Sequence, residues 1–232
     1  MEKTRILWYD IIVGKGKTMT KWITIADTGE GEFVEKKSKF IGYAKHVETE
    51  EDANAFIGEI KAKHWDAKHN VYAYVLGENG NTQRSTDDGE PSGTAGRPIL
   101  EIIKGENLTN TVIVVTRYFG GILLGTGGLV RAYSKAAKLA LENSKKVRPV
   151  LMRSIAVCAN YDLAGKIENF LIQKEIDIDH IDYQNNVMIY CLIPGSEEEQ
   201  FSTMLNQQFQ ADIPCHVMAE EQYRYVPWED EK

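Results

Sequence analysis

The sequence predicts an α+β protein of two domains, in which an α/β domain precedes a ferredoxin-like domain. The first observation is length, because 232 residues exceed one ordinary domain. The second is the order βαββαβ in the last third, which is typical of ferredoxin-like domains with both helices on one face of an antiparallel sheet. The third is a boundary at Val147-Arg148-Pro149, beyond which the apolar–polar alternation is cleaner. We therefore expect domains at 19–148 and 149–228, with a tail at 229–232.

The sequence of residues 1–18 is not typical of the start of a folded domain. The stretch "VGKGKTM", ending at Met19, is what a purine-rich ribosome-binding site would encode if it were translated in frame. We therefore expect Met19 to be the natural start and residues 1–18 to be a translated leader or a disordered extension.

The first domain opens with strands and a capped helix. Glu32–Glu35 and Lys39–Val47 are strand-like and flank the polar turn "KKS". Thr49 and Asp52 have the spacing of a capping box, and the apolar residues that follow recur at helical spacing. A helix is therefore predicted to begin after Thr49.

The rest of the first domain alternates strands with less regular chain. Asn70–Leu76 is rich in aromatic and β-branched residues and predicts a strand. Gly77–Pro98 lacks periodicity but contains many turn residues, which favours an ordered functional loop. Pro98–Lys104 predicts a short helix that Gly105 ends. Thr111–Phe119 is a β-branched run typical of a strand covered on both faces, and a helix follows the glycine-rich turn after it.

The second domain is predicted from six segments. They are, in order, strand Arg153–Asn160, helix Leu163–Lys174, strands Ile178–Tyr183 and Val187–Ile193, helix Glu197–Phe209 and strand Cys215–Tyr223.

The charge is unevenly distributed between the two halves. Residues 1–150 carry 22 Lys and Arg against 19 Asp and Glu, whereas residues 151–232 carry 5 against 15. Such asymmetry favours an anionic partner for the first half alone. No apolar segment has the length of a membrane span, and three cysteines without a CxxC pair fit a reducing compartment. We therefore expect a cytoplasmic protein without a membrane partner, a cofactor or a metal.

A glycine-rich turn between a buried strand and a helix is a common place for phosphate binding. The nucleotide-binding fingerprints fail here, because Thr126-Gly127 stands where a P-loop has Lys and Ser or Thr, and the GxGxxG spacing ends on Val130. The glycines therefore predict either tight packing against neighbouring backbone or close approach by a polyanion.

The helix after the turn favours the polyanion. Its basic residues fall on one face at i, i+4 and i+7, with a single acid, Glu142, further along. A solvated charged face is the plain alternative, but most surface helices mix both signs. The predicted nucleic-acid-binding residues are Arg117, Tyr118, Gly120, Gly121, Gly125, Gly127, Gly128, Arg131, Lys135 and Lys138.

A second constellation lies in "STDDGEPSGTAGRP", residues 85–98. Its carboxylates could act in pairs, with His69 as a base, but the stretch is also a good turn sequence and matches no metal-ligand spacing. We expect an ordered loop beside the interface, formed by His69, Asp87, Asp88, Gly89, Glu90, Ser92, Gly93, Gly96 and Arg97.

"STDDGEPSGTAGRPIL" and "VVTRYFGGILLGTGGLVRAYSKA" resemble the two signature blocks of the IMPACT family, in particular its bacterial YigZ/YvyE-type members. The resemblance covers about residues 21–225. It implies an N-terminal domain of the kind shared by a ribosomal small-subunit protein and domain IV of elongation factor G, and a C-terminal domain similar to domain V of that factor. Eukaryotic relatives are linked to control of translation initiation through the GCN system of kinase regulators.

The sequence thus predicts a translation-related regulator that binds RNA or the ribosome through the basic glycine-turn surface. One alternative is a hydrolase-type enzyme of small molecules, with a site around His69, Asp87, Asp88 and Glu90. Another is a protein-interaction module that binds a regulatory protein and no nucleic acid.

Overall fold

The structure is a computed structural model that describes residues 22–195 and 197–228. The expected leader, the start at Met19 and the tail at 229–232 lie outside these residues. The chain divides into two compact units, one of residues 22–148 with 225–228, the other of Pro149–Arg224. Across residues 22–195 and 197–228, no helix is long and apolar enough to cross a membrane.

The first unit is built on a five-stranded antiparallel sheet with helices on both faces. The strands are β2 (Gly29–Glu35), β3 (Ser38–His46), β4 (His69–Leu76), β5 (Thr82–Thr86) and β6 (Thr111–Tyr118), after a short β1 (Thr24–Ile25) outside this sheet. They lie side by side in the order β2-β3-β6-β4-β5. The helices are α1 (Glu50–Lys63), α2 (Gly96–Gly105) and α3 (Thr126–Glu142). Helix α1 packs on one face, and α2 and α3 pack on the other.

The central strand β6 explains why this sheet is covered twice. Val112 and Val114 belong to the apolar cluster under α1, whereas Ile113 and Val115 belong to the cluster under α2 and α3. Successive side chains of a strand point to opposite faces, so a β-branched run fills both layers. The predicted two-sided burial of this strand is confirmed.

The capping box of α1 is also confirmed. The Asp52 N–H donates to Thr49 Oγ1 at 3.1 Å, and the Thr49 N–H donates back to Asp52 Oδ2 at 3.2 Å. Two free N–H groups of the helix start are satisfied in this way.

Strand β5 was not predicted from the sequence, because residues 77–98 lack periodicity. It pairs antiparallel with β4, with Tyr72 opposite Thr86 and Leu76 opposite Thr82. Its residues are mostly exposed, so this edge strand has no apolar alternation that could reveal it. The two strands form a hairpin across residues 77–81, and the pairing with β4 gives β5 its extended conformation.

The second unit has the predicted ferredoxin-like order. Its elements are β7 (Lys146–Ala159, which begins in the first unit), α4 (Tyr161–Gln173), β8 (Asp177–Tyr183), β9 (Val187–Pro194), α5 (Glu198–Phe209) and β10 (Cys215–Pro227, which ends in the first unit). The sheet order is β10-β7-β9-β8. Both helices pack through one apolar cluster against the same face of β7 and β9. The α+β class and the ferredoxin-like arrangement of the second unit are confirmed.

Candidate nucleic-acid interface

The glycine loop, residues 119–125, joins β6 to α3 and partly serves internal packing. A Cβ added to Gly120 would lie 2.0 Å from the carbonyl carbon of Lys37, so the loop backbone lies directly against the β2–β3 turn. The Gly120 N–H also donates to Ser38 Oγ at 3.1 Å. Gly125, the N-cap of α3, has φ 72°, a conformation that side-chain-bearing residues rarely adopt. These two glycines are required by the fold itself.

The other three glycines differ in what surrounds them. Gly121 has φ 82° in open space, and a Cβ on Gly128 would lie 2.9 Å from Leu124 Cβ. Gly127, in the first turn of α3, has neither a positive φ nor any atom within 4 Å of an added Cβ. Packing therefore does not explain Gly127.

The cationic stripe, which we define as Arg131, Lys135 and Lys138, is exposed along α3. The spacing i, i+4, i+7 spans about 10 Å of helix at about 1.5 Å per residue. The side chains forming the buried face are Leu129, Ala132, Tyr133, Ala136, Ala137, Ala140 and Leu141. Within the described part of the chain, no carboxylate pairs with any of the three cations, while Lys135 Nζ lies 4.4 Å from the centroid of the Phe33 ring. The stripe is thus a row of unneutralised positive charge.

The glycine loop, which leads into α3, carries exposed apolar side chains. Phe119 is 46% exposed and Leu123 is 82% exposed. Lys68 Nζ lies 6.0 Å from the centroid of the Phe119 ring. Aromatic rings beside cations form the surfaces on which single-stranded nucleic acids stack their bases. Sequence reasoning did not select Phe119, although it lies next to two residues that it did select.

Arg117 does not belong to this surface, because its side chain is only 6% exposed. Its Nη1 donates to Glu90 Oε1 at 2.6 Å, and Tyr133 Oη donates to the same oxygen at 2.8 Å. His69 Nε2 lies 3.9 Å from that oxygen. Burial, reinforced by the Glu90 carboxylate, raises the pKa of the Tyr133 phenol, so that it stays protonated and donates. We call these four residues the Glu90 cluster.

The Glu90 cluster ties three parts of the first unit together. Glu90 belongs to the loop between β5 and α2, Arg117 to β6 and Tyr133 to α3. The Arg117 guanidinium lies 5.4 Å from the ring centroids of both Phe40 and Phe119. The cluster therefore holds the helix that carries the cationic stripe against the sheet.

Tyr118 points to the opposite face of the sheet from Arg117, as consecutive strand residues must. Its hydroxyl lies 2.9 Å from His64 Nδ1 and donates to Asp66 Oδ1 at 3.0 Å. Burial and the Asp66 carboxylate raise the pKa of this phenol. The structure therefore brings Tyr118 to α1 and not to the cationic stripe.

Asp87 and Asp88 use their carboxylates to order the loop. Asp87 Oδ1 accepts the N–H groups of Ala95 and Gly96 at 3.0 and 2.8 Å, and its Oδ2 accepts that of Gly93 at 2.8 Å. Asp88 Oδ2 accepts the N–H of Asn70 at 2.7 Å. These bonds favour a structural role over that of paired catalytic carboxylates.

Four of the remaining residues predicted in this loop are turn or surface positions, whereas His69 is the buried first residue of β4. Gly89 and Gly93 have φ 84° and 74°, and Ser92 and Arg97 are exposed. His69 Nδ1 lies 2.7 Å from the Asp88 carbonyl oxygen. Over the described ranges, no group of three His, Cys, Asp or Glu side chains is arranged to hold a metal ion.

Lys36 reaches the cationic stripe from another element, which sequence reasoning did not foresee. The pairing of β3 with β6 puts Lys39 opposite Tyr118, so the β2–β3 turn meets the start of the glycine loop. Lys36 and two stripe residues, Arg131 and Lys135, line one cavity. The turn was visible in the sequence, but its position depends on the strand register.

Known families match both units of the chain. The IMPACT N-terminal domain matches residues 36–141, and a domain of unknown function, DUF1949, matches residues 158–211. The chain is 45% identical over 186 residues to the IMPACT family member YvyE of Bacillus subtilis, covering 80% of this chain and 86% of that protein. The chain belongs to the IMPACT family. It is also 38% identical to the IMPACT family member YigZ of Escherichia coli, covering 73% of this chain and 84% of that protein.

A solved crystal structure, described as that of a hypothetical protein, is similar to this IMPACT family chain. Its TM-score is 0.56 at 33% identity, with 86% of this chain and 98% of that chain covered. The IMPACT N-terminal match runs from the β2–β3 turn to the end of α3. The glycine loop, the cationic stripe and the Glu90 cluster therefore all lie within the matched part.

Proposed function

We propose that the first unit binds RNA, free or within the ribosome, through the cationic stripe and the glycine loop, and that the protein thereby modulates translation. The observation that carries the proposal is the row of Arg131, Lys135 and Lys138 without carboxylate partners in the described residues. A helix face selected only for solubility ordinarily intersperses both signs. Phosphates spaced along a strand neutralise such a row and release counterions.

The neighbouring features fit the same partner. Phe119 offers a ring for a base, and the first turn of α3 presents N–H groups that no side chain of its N-cap residue, Gly125, satisfies. The charged residues of the second half are mostly acidic, with 15 Asp and Glu against 5 Lys and Arg in residues 151–232, which disfavours a polyanion there. The family resemblance, which implies a link with control of translation, agrees with this partner.

Two measurements across a salt series test the proposal. One is sedimentation of the protein with ribosomes, and the other is its binding to single-stranded RNA. We expect association at low salt that weakens as salt rises. Three phosphate contacts on a single strand correspond to a slope of about −2 in a plot of log affinity against log salt concentration. Association that resists both salt and nuclease would instead support a protein-interaction module.

Gly127→Ala tests whether a ligand approaches the backbone at the start of α3. An added Cβ meets no atom within 4 Å, so the variant should fold as well as the parent or better. We expect RNA affinity to fall several-fold, because the methyl group obstructs the first-turn N–H groups.

The matched control for that variant is Gly165→Ala in α4, where an added Cβ also meets nothing within 4 Å. It should raise the free energy of unfolding by about 0.5–1 kcal/mol and leave RNA affinity unchanged. Equal affinities for both variants and the parent would show that no ligand contacts the backbone at Gly127.

A further inference from the structure

A cavity of about 210 Å³ lies between the β2–β3 hairpin and the start of α3. Its charged lining consists of Lys36, Arg131, Lys135 and Glu35, and its apolar lining includes Phe33 and Leu124. The cations come from two elements that are far apart in sequence and converge on one concave site. A concave site whose lining carries an excess of one sign of charge concentrates ions of the other sign.

The charges of this cavity are not neutralised from outside it. Among residues 22–195 and 197–228, neither Glu35 nor any of the three cations takes part in an ion pair. With Glu35 counted, the lining carries two net positive charges. Lys135 Nζ lies against the Phe33 ring, 4.4 Å from its centroid, and remains exposed.

The β2–β3 turn holds Lys36 at the cavity in a costly conformation. Lys36 and Lys37 have φ 45° and 65°, so both occupy the left-handed region in a two-residue hairpin loop. Turns of this kind favour Asn-Gly, and a non-glycine residue in that region costs roughly 1–2 kcal/mol. Such strain persists where the surroundings enforce it, and it is concentrated at functional sites.

Contacts with the glycine loop hold the β2–β3 turn in this conformation. The backbone of Gly120 packs directly on the carbonyl of Lys37, and the Gly120 N–H bonds the side chain of Ser38, the next residue. The cavity is therefore preorganised, with Lys36 fixed opposite the first two residues of the cationic stripe. Gly128, the third residue of α3, also lines the cavity, and the positive end of the helix dipole adds to its potential.

We propose that this cavity binds a phosphate monoester, and that on RNA it receives a terminal phosphate. The RNA source of the group rests on the proposed function, whereas the affinity for a phosphate monoester does not. A monoester carries about −1.5 to −2 charges at neutral pH, close to the net charge of the lining, whereas an internal phosphodiester carries only one. Arg131 is suited to hold two of its oxygens at once, with Lys36 and Lys135 as point charges.

The test compares single-stranded RNA oligonucleotides of one sequence with a 5′-hydroxyl, a 5′-phosphate or a 3′-phosphate end, by fluorescence anisotropy at fixed salt. Ribose 5-phosphate serves as a competing probe. We expect one phosphorylated end to bind about tenfold more tightly than the hydroxyl form, which is the effect of one added charge-assisted hydrogen bond. We also expect ribose 5-phosphate to remove that increment.

Lys36→Ala should abolish the increment and Lys37→Ala should keep it. The two variants remove the same charge from the same turn at a positive φ, but only Lys36 lines the cavity. Equal affinity for all three oligonucleotides, or an equal loss in both variants, would overturn the inference and leave the proposed function standing. A different outcome would be that the phosphorylated oligonucleotide binds in a Lys36-dependent way, while neither ribosomes nor the hydroxyl oligonucleotide bind. That result would support phosphate binding in the cavity and overturn the proposed RNA-binding function.

Discussion

Glu90→Gln is expected to lower the free energy of unfolding of the first unit by about 3–5 kcal/mol, because it leaves the Arg117 guanidinium buried without a counter-charge. The side chains of both residues are almost completely buried, at 4% and 6% exposed. Tyr133 loses its carboxylate acceptor in the same step. Denaturation followed by tryptophan fluorescence measures the effect, since Trp22, Trp65 and Trp228 all belong to this unit.

Two further variants make this result specific. Glu101→Gln changes an exposed glutamate of α2 in the same way and should alter the free energy of unfolding by no more than about 0.5 kcal/mol. Glu90→Leu combined with Arg117→Met removes both charges and should recover much of the loss, because an apolar pair needs no counter-charge. A loss below about 1 kcal/mol in Glu90→Gln would show that the Glu90 cluster does not hold the loop and α3 to the sheet.

The features of the fold that the sequence predicts are those that depend on near neighbours. The capping box needs only Thr49 and Asp52, and the ferredoxin-like order follows from alternating periods of apolar residues. β5 escapes such reasoning because its residues are exposed and its partner strand determines it. Local sequence pattern thus predicts helices and strands that bury one apolar face, and it misses an exposed strand at the edge of the sheet.

The candidate site likewise contains features that local sequence predicts and features that depend on residues distant in the chain. The cationic stripe follows from helical spacing within eight residues and is found on the exposed face of α3. Arg117 was expected at the surface because its partner, Glu90, lies 27 residues earlier in the chain and meets it only through the folded loop. The opposite directions of Arg117 and Tyr118 were deducible from strand alternation. The contribution of Lys36 was not, because it depends on how β3 pairs with β6.

Arg131→Glu combined with Lys135→Glu is expected to weaken RNA binding by about 100-fold or more at low salt. Two phosphate contacts are lost and two like charges are placed where the phosphates would lie, which costs several kcal/mol. The salt dependence should also become shallower, with the slope changing by about 1.4 for two contacts. Both side chains are exposed, so the free energy of unfolding should change little.

The matched control is Lys166→Glu combined with Lys174→Glu in the second unit, which changes net charge by the same amount. Both lysines are exposed, the first within α4 and the second at its C-cap. If affinity depended only on net charge, the two double variants would weaken binding equally. If the stripe is the contact surface, only the α3 variant loses affinity and salt dependence together. Unchanged RNA affinity in the α3 variant would rule out the helix as the interface. The two substitutions change the charge of the stripe by four, and phosphates lying along α3 could not bind such a surface with unchanged affinity.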